Sequence, residues 1–197
     1  MEEFPEYEAL FKVCRSRRSS RAFADRPVPA GILDKIRTAA LTSPYASGKK
    51  NWGITVVTDR DLRVRMGQEV ERRAGEILAL IRPDLREYFA AYARNFTFFA
   101  AAPALLVLTF RAAPSLSLML ARPSPELVQW ERDNSVKSIA CVAMLALLAA
   151  ESLGLGACFV TGALIAEREL AGLIPVPPGR EIGALIPVGY KDGGGEK

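Results

Sequence analysis

Ser135–Gly162, SVKSIACVAMLALLAAESLGLGACFVTG, decides how this chain folds. From Ile139 to Ala150 it carries no charge, and alanine and leucine dominate, so helix propensity is high along its length. The run is apolar on every side. In a water-soluble chain that pattern predicts a helix buried all round rather than a surface helix. Its uncharged part is shorter than the roughly 20 residues needed to span a bilayer. Gly154 and Gly156 stop the helix, and Ala157–Val160 then reads as a buried strand followed by Gly162. Helix, glycine turn, strand and small-residue turn together make a place where backbone can approach a flat ligand.

The 197 residues fit one ordinary domain, 1–197, able to bury a core without staples. With 50% apolar and 24% charged residues the chain is globular. The three cysteines, Cys14, Cys141 and Cys158, are odd in number and far apart. They argue against a disulfide framework and against a metal cluster, and suit a reducing cytoplasm. Met1–Tyr7 is acidic, unlike the basic-then-apolar start of a secretory leader, which points the same way. Histidine is absent, which excludes Ser-His-Asp and Cys-His catalysis and disfavours a zinc or non-haem iron site. An enzyme of this composition needs a bound organic cofactor to carry its chemistry.

Phe4–Cys14 has helical spacing and leads into Cys14–Phe23, CRSRRSSRAF. Guanidinium groups and hydroxyls packed this tightly are what a phosphate monoester needs, although a solvated basic turn has the same composition. No aromatics interleave and no second basic stretch of this density follows, so nucleic acid is a weaker reading, and the net charge of +4 is modest. Beyond the extended Arg26–Pro29, the pattern predicts a helix over Gly31–Leu41, a small-residue loop at Thr42–Asn51 and a strand at Gly53–Thr58. A charged helix to about Ile81 follows, then an aromatic-rich helix over Leu85–Phe99 whose stripe reads as core or interface. Ala104–Phe110 and Ile182–Val188 are strands, Ala166–Leu173 a short helix, and Arg111–Pro125 a proline-interrupted connection. The continuous apolar Ala104–Phe110 suits a sheet covered on both faces. Strands separated by helices leave α+β and α/β both open.

In this order the pieces resemble the nitroreductase family of FMN-dependent flavoproteins. Arg17–Phe23 with Pro27–Pro29, the loop Ser43–Trp52, Ala102-Pro103, Leu153–Phe159 and Val188-Gly189-Tyr190 carry the resemblance. It implies an α+β fold with a mostly antiparallel central sheet sandwiched by helices and a long buried central helix. It also implies a homodimer with FMN between the subunits. Arg17, Arg18 and Ser19 would hold the FMN phosphate, and Arg21 would reach the pyrimidine edge of the ring, where a cation stabilises the charge of reduced flavin. Val160, Thr161 and Gly162 would lie along the ring. Pro44, Tyr45, Ala46, Gly48 and Lys50 would come from the partner chain, and Lys191 would add a cation near the phosphate. Tyr45, Gly48, Lys50 and Asn51 depart from the family's usual loop, so that wall is rebuilt.

The implied activity passes hydride from NAD(P)H through flavin N5 to a nitroaromatic, quinone or similar small acceptor. No catalytic side chain is required, since the flavin carries the chemistry. Neither nucleic acid nor a membrane is an expected partner. The alternatives are a flavin-binding or storage module with little turnover, and a specialised flavin dehydrogenase or dehalogenase of the same fold.

Overall fold

The computed structural model describes residues 4–45, 51–112, 116–122 and 124–192. At its centre lie Trp52–Val57 (β1), Ala104–Phe110 (β2), Leu155–Ala157 (β3) and Glu181–Tyr190 (β4), in the spatial order β1-β2-β4-β3. Every pairing is antiparallel, which decides for α+β. β2 lies between β1 and β4, from Trp52↔Phe110 on one side and Ala104↔Val188 on the other, and all seven of its residues are buried. Its alternate side chains feed two separate cores, because successive residues of a strand point to opposite faces.

One face carries Leu106, Leu108 and Phe110 against Ala30–Ala40 (α2) and Pro125–Ser152 (α5), through Leu33, Ile36, Ile139, Val142 and Ala146. The other carries Leu105 and Val107 against Arg60–Leu80 (α3) and Glu167–Leu173 (α6), through Met66, Val70 and Leu170. Helix starts follow local chemistry. The Asp59 carboxylate accepts from Leu62 N at the start of α3, and the Ser124 hydroxyl accepts from Leu127 N ahead of Pro125 in α5.

Three expectations shift. The strand after α5 is Leu155–Ala157, not Ala157–Val160, because Gly154 at φ 75° reverses the chain at once and lays Leu155 opposite Tyr190. Val160 returns to the sheet only as a bridge to Leu185, while Phe159 between them is exposed. The aromatic helix over Leu85–Phe99 is divided into Arg86–Ala93 (α4) and two 3-10 turns, Arg94–Phe96 and Phe98–Ala101. Phe96, at the end of the first turn, and Phe99, in the second, are both buried.

The long helix α5 is buried on one side only. Ile139, Val142, Ala143, Ala146 and Ala150 are covered, whereas Ala140, Cys141 and Met144 are exposed in the single chain. By length and composition α5 could also cross a membrane, yet here it packs on α2, β2, β3 and β4. Pro5–Ser16 (α1) buries none of its residues, and Phe4, Tyr7, Leu10 and Phe11 stand in solvent. The connection from β2 to α5 is organised by Glu131, a buried carboxylate on α5 that accepts from Leu116 N, Ser117 N and the Ser117 hydroxyl.

Candidate functional site

After α1 the chain runs extended along the outer edge of β3. Ser19 bridges Ala157, Ser20 N donates to Ala157 O at 3.0 Å, Phe23 bridges Lys191, and Ala24 N donates to Tyr190 O at 3.0 Å. The arginine–serine stretch is therefore tied to the sheet edge at two points, through Ser20 N and Ala24 N. Gly156 allows the approach: a Cβ there would stand 2.5 Å from Ser20 Oγ and 3.1 Å from Lys191 Cγ.

Arg17 is half-buried and Arg21 exposed, and among the described residues neither forms an ion pair. The Arg21 guanidinium lies 6.0 Å from the Phe98 ring centre. Arg18 turns the other way and donates to Arg15 O at 2.7 Å and Arg17 O at 3.0 Å, closing the C-terminal end of α1. Lys191 has its stem over Gly156 beside Ser20, but its ammonium is held by Glu151, with Nζ 3.0 and 2.9 Å from the two carboxylate oxygens.

The facing wall is Val160–Gly162. Val160 exchanges two backbone bonds with Leu185, at 2.9 and 3.0 Å, which fixes the exposed Thr161 that follows. Gly162 is pressed against Phe96, and a Cβ there would lie 2.3 Å from the ring. Phe96 and Phe98 thus link Gly162 to Arg21 and close one corner. Sequence reasoning read them only as part of an apolar stripe; their closeness to Gly162 and Arg21 has no local signal. Behind the same segment, between α3 and α4, a cavity of about 280 Å³ is floored by Ala74, Leu78, Phe89 and Ala93, with Glu71 and Arg94 among its lining.

The model of the Nitroreductase family matches residues 14–190. The chain belongs to the nitroreductase family.

Two relatives provisionally named NADH dehydrogenase/NAD(P)H nitroreductase are similar to it. The one from Archaeoglobus fulgidus is 30% identical over 41% of this chain and 50% of its own length. The one from Methanothermobacter thermautotrophicus is 27% identical over 92% of this chain and 76% of its own. Among solved structures, a BluB-like flavoprotein from Clostridium difficile superposes with a TM-score of 0.83 at 23% identity, covering 99% and 94% of the two chains. A nitroreductase with bound FMN from Bacteroides fragilis gives 0.73 at 18%, covering 95% and 91%.

In this nitroreductase-family chain only part of the expected site falls within the described residues. Of the loop expected to face a partner's flavin, Ala46, Gly48 and Lys50 lie outside the described residues. Tyr45, next to Pro44, packs on the α2–α5 face, its ring 6.1 Å from that of Trp52, whereas Phe96 belongs to the opposite core. Of the described loop residues, Tyr45 therefore lies on the face of the sheet opposite Phe96. Burial pushes the Tyr45 phenol above its ordinary pKa, opposed by the nearby Ser135 hydroxyl and the Arg180 charge.

Proposed function

We propose that this protein is an FMN-dependent oxidoreductase that takes hydride from NAD(P)H and delivers it to a nitroaromatic, quinone or similar small acceptor. It acts as a cytoplasmic homodimer. The observation that carries this reading is the arginine–serine stretch at the sheet edge, with Arg21 6.0 Å from the Phe98 ring centre and Gly162 pressed against Phe96, two residues from Phe98. The donor set fits FMN. Arg17 and the Ser19 hydroxyl offer charged and neutral donors to a phosphate, with Ser20 and Lys191 alongside. Arg21 places a permanent cation toward the electron-rich edge of a flat ring, and Val160–Gly162 offers a backbone wall with little side-chain bulk.

Bound FMN supplies the two-electron chemistry, so the chain needs no histidine and no acid–base pair. Its own residues bind, orient and shield. The α3–α4 cavity, with its apolar floor, adds room for a flat acceptor behind the same aromatic segment. A second copy is needed for two reasons. Tyr45 packs on the face of the sheet opposite Phe96. In addition, the exposed Leu10, Val136, Met144 and Trp130 leave more apolar surface on α1 and α5 than a lone subunit carries comfortably.

The test is an absorption spectrum of the purified protein before and after anaerobic NADH or NADPH. Flavin bands that bleach support the oxidoreductase and reveal the donor. Bands that persist with both nucleotides overturn the activity. A colourless protein that fails to take up added FMN overturns the cofactor as well.

A further inference from the structure

The cavity of about 280 Å³ between α3 and α4 opens on the α3–α6 side of the sheet, away from α5 and the α1 helix that lies on it. Two fixed points set which residues meet across it. Gly67 on α3 stands against Ala100, where an added Cβ would be 3.2 Å from that methyl. At the far end the chain reverses through Ile81–Leu85, with Arg86 Nε donating to Ile81 O at 3.1 Å. α3 and the α4 segment therefore run antiparallel, which puts Glu71 at the Arg94–Thr97 end of the cavity and Leu78 at the Phe89 end. One end is polar and the other apolar.

Both charges at the polar end are unclaimed. Among the described residues Glu71 and Arg94 form no ion pair, whereas Arg72 and Arg73 are paired with Glu69 and Glu76 along α3. Thr97 adds a hydroxyl at the same end. Gly75 lines the gap from the interior of α3, and a Cβ there would meet nothing within 4 Å. Glycine is a poor residue for a helix interior and no packing contact calls for this one, so its effect is to keep the gap open. The volume exceeds the roughly 150 Å³ that takes up a benzene ring and falls below the roughly 300–1,000 Å³ of drug-sized sites. It suits one substituted ring and is too small for a flavin or a dinucleotide.

We propose that this cavity binds a small aromatic carboxylate with a hydrogen-bond donor ortho to the carboxylate, an amino- or hydroxybenzoate. The carboxylate takes the Arg94 guanidinium and the Thr97 hydroxyl, the ortho group donates to Glu71, and the ring lies on Leu78 and Phe89. Plain benzoate offers Glu71 no donor, and an arylamine offers Arg94 no anion. As the class of the acceptor this rests on the oxidoreductase reading; binding in the cavity does not, and it asks nothing of the distance to the arginine–serine stretch.

The experiment is calorimetric titration of the purified, flavin-loaded protein with 2-aminobenzoate, 4-aminobenzoate, benzoate and aniline. The first is expected to bind about tenfold more tightly than benzoate or aniline, the scale of the one charge-assisted contact each of them lacks. It also binds more tightly than 4-aminobenzoate, whose amino group points away from Glu71. Arg94→Met brings 2-aminobenzoate down to the level of aniline. Gly75→Leu fills the gap and abolishes binding of all the ligands. Leucine is the better helix residue and its Cβ strikes nothing within 4 Å, so a thermal midpoint no lower than wild type shows that the variant is folded. Equal affinity for the four ligands overturns the proposal, as does undiminished 2-aminobenzoate binding in either variant. Release of flavin as 2-aminobenzoate binds also overturns it, by placing the ligand in the cofactor site. Failure of both nucleotides to bleach the flavin refutes the oxidoreductase reading and leaves the binding in place, whereas bleaching with no 2-aminobenzoate binding refutes this inference alone.

Discussion

Gly162→Ala tests the contact on which the candidate site turns. The added Cβ would stand 2.3 Å from Phe96 Cδ1 and 2.4 Å from Cε1. A carbon pair at rest is about 3.5–4.0 Å apart, so the ring must retreat by roughly 1 Å or more. It has little room to do so: Phe96 is 5% exposed and has the Tyr92 ring edge-on at 5.0 Å. Gly162 does not have a left-handed φ, so the penalty is steric rather than conformational. Overpacking of this kind costs about 1–3 kcal/mol, and removing a glycine's unfolded-state freedom returns about 0.4–1 kcal/mol. The net loss is about 0–2.6 kcal/mol, a fall of up to about 10 °C in Tm for a chain of this size. Urea and thermal unfolding measure it directly. Phe96→Leu in the same background removes the struck ring atoms, and the double variant is expected to be more stable than the sum of the singles by about 1 kcal/mol. Strictly additive singles would refute the close Gly162–Phe96 contact.

Three further outcomes are expected. Arg63 on α3 is 5% exposed with Nε and Nη1 unpartnered, and burial lowers its pKa against the pull of Asp59. Arg63→Met therefore raises stability by about 1–3 kcal/mol in urea unfolding at neutral pH, and a destabilised variant would show that the guanidinium is satisfied. Burial holds the Tyr45 phenol above the ordinary tyrosine pKa of about 10, so the unfolded chain ionises first as pH rises. That contribution to stability is complete below about pH 10 and is lost as pH climbs through the folded pKa, so wild type should lose stability there faster than Tyr45→Phe in a pH series of denaturant midpoints. Glu151→Gln releases the Lys191 ammonium, whose partner carboxylate is only 9% exposed. FMN fluorescence titration should show binding about threefold to tenfold tighter in that variant and weaker in Lys191→Met; no change in either would remove Lys191 from the phosphate site.

Local chemistry made much of the fold legible. The Ala104–Phe110 strand could only be central, because it offers no polar side to solvent, and it pairs on both edges with both faces covered. Asp59, Ser124-Pro125 and Gly154 mark helix ends through bonds and backbone preferences acting over three or four residues. The arginine–serine stretch stood out by composition, although Arg18 turns to the end of α1 while its neighbours face the corner. The split of Leu85–Phe99 was not legible, since a 3-10 turn and an α-helix share the same residue preferences and only packing of Phe96 and Phe99 selects between them.

By itself the sequence determined most of the helices and strands, that the family is nitroreductase, and which residues carry the charge a phosphate would need. These depend on periodicity, on caps and on side-chain chemistry, all written within a few residues of one another. Only the tertiary structure decided that Ser19–Ser20 zip onto β3, that Gly162 meets Phe96, that Lys191 is taken by Glu151 and that Tyr45 turns into the α2–α5 core. Each of those joins residues tens of positions apart or more. Which distant pair meets is settled by how two cores fill on either side of one sheet, a property of the whole packed chain.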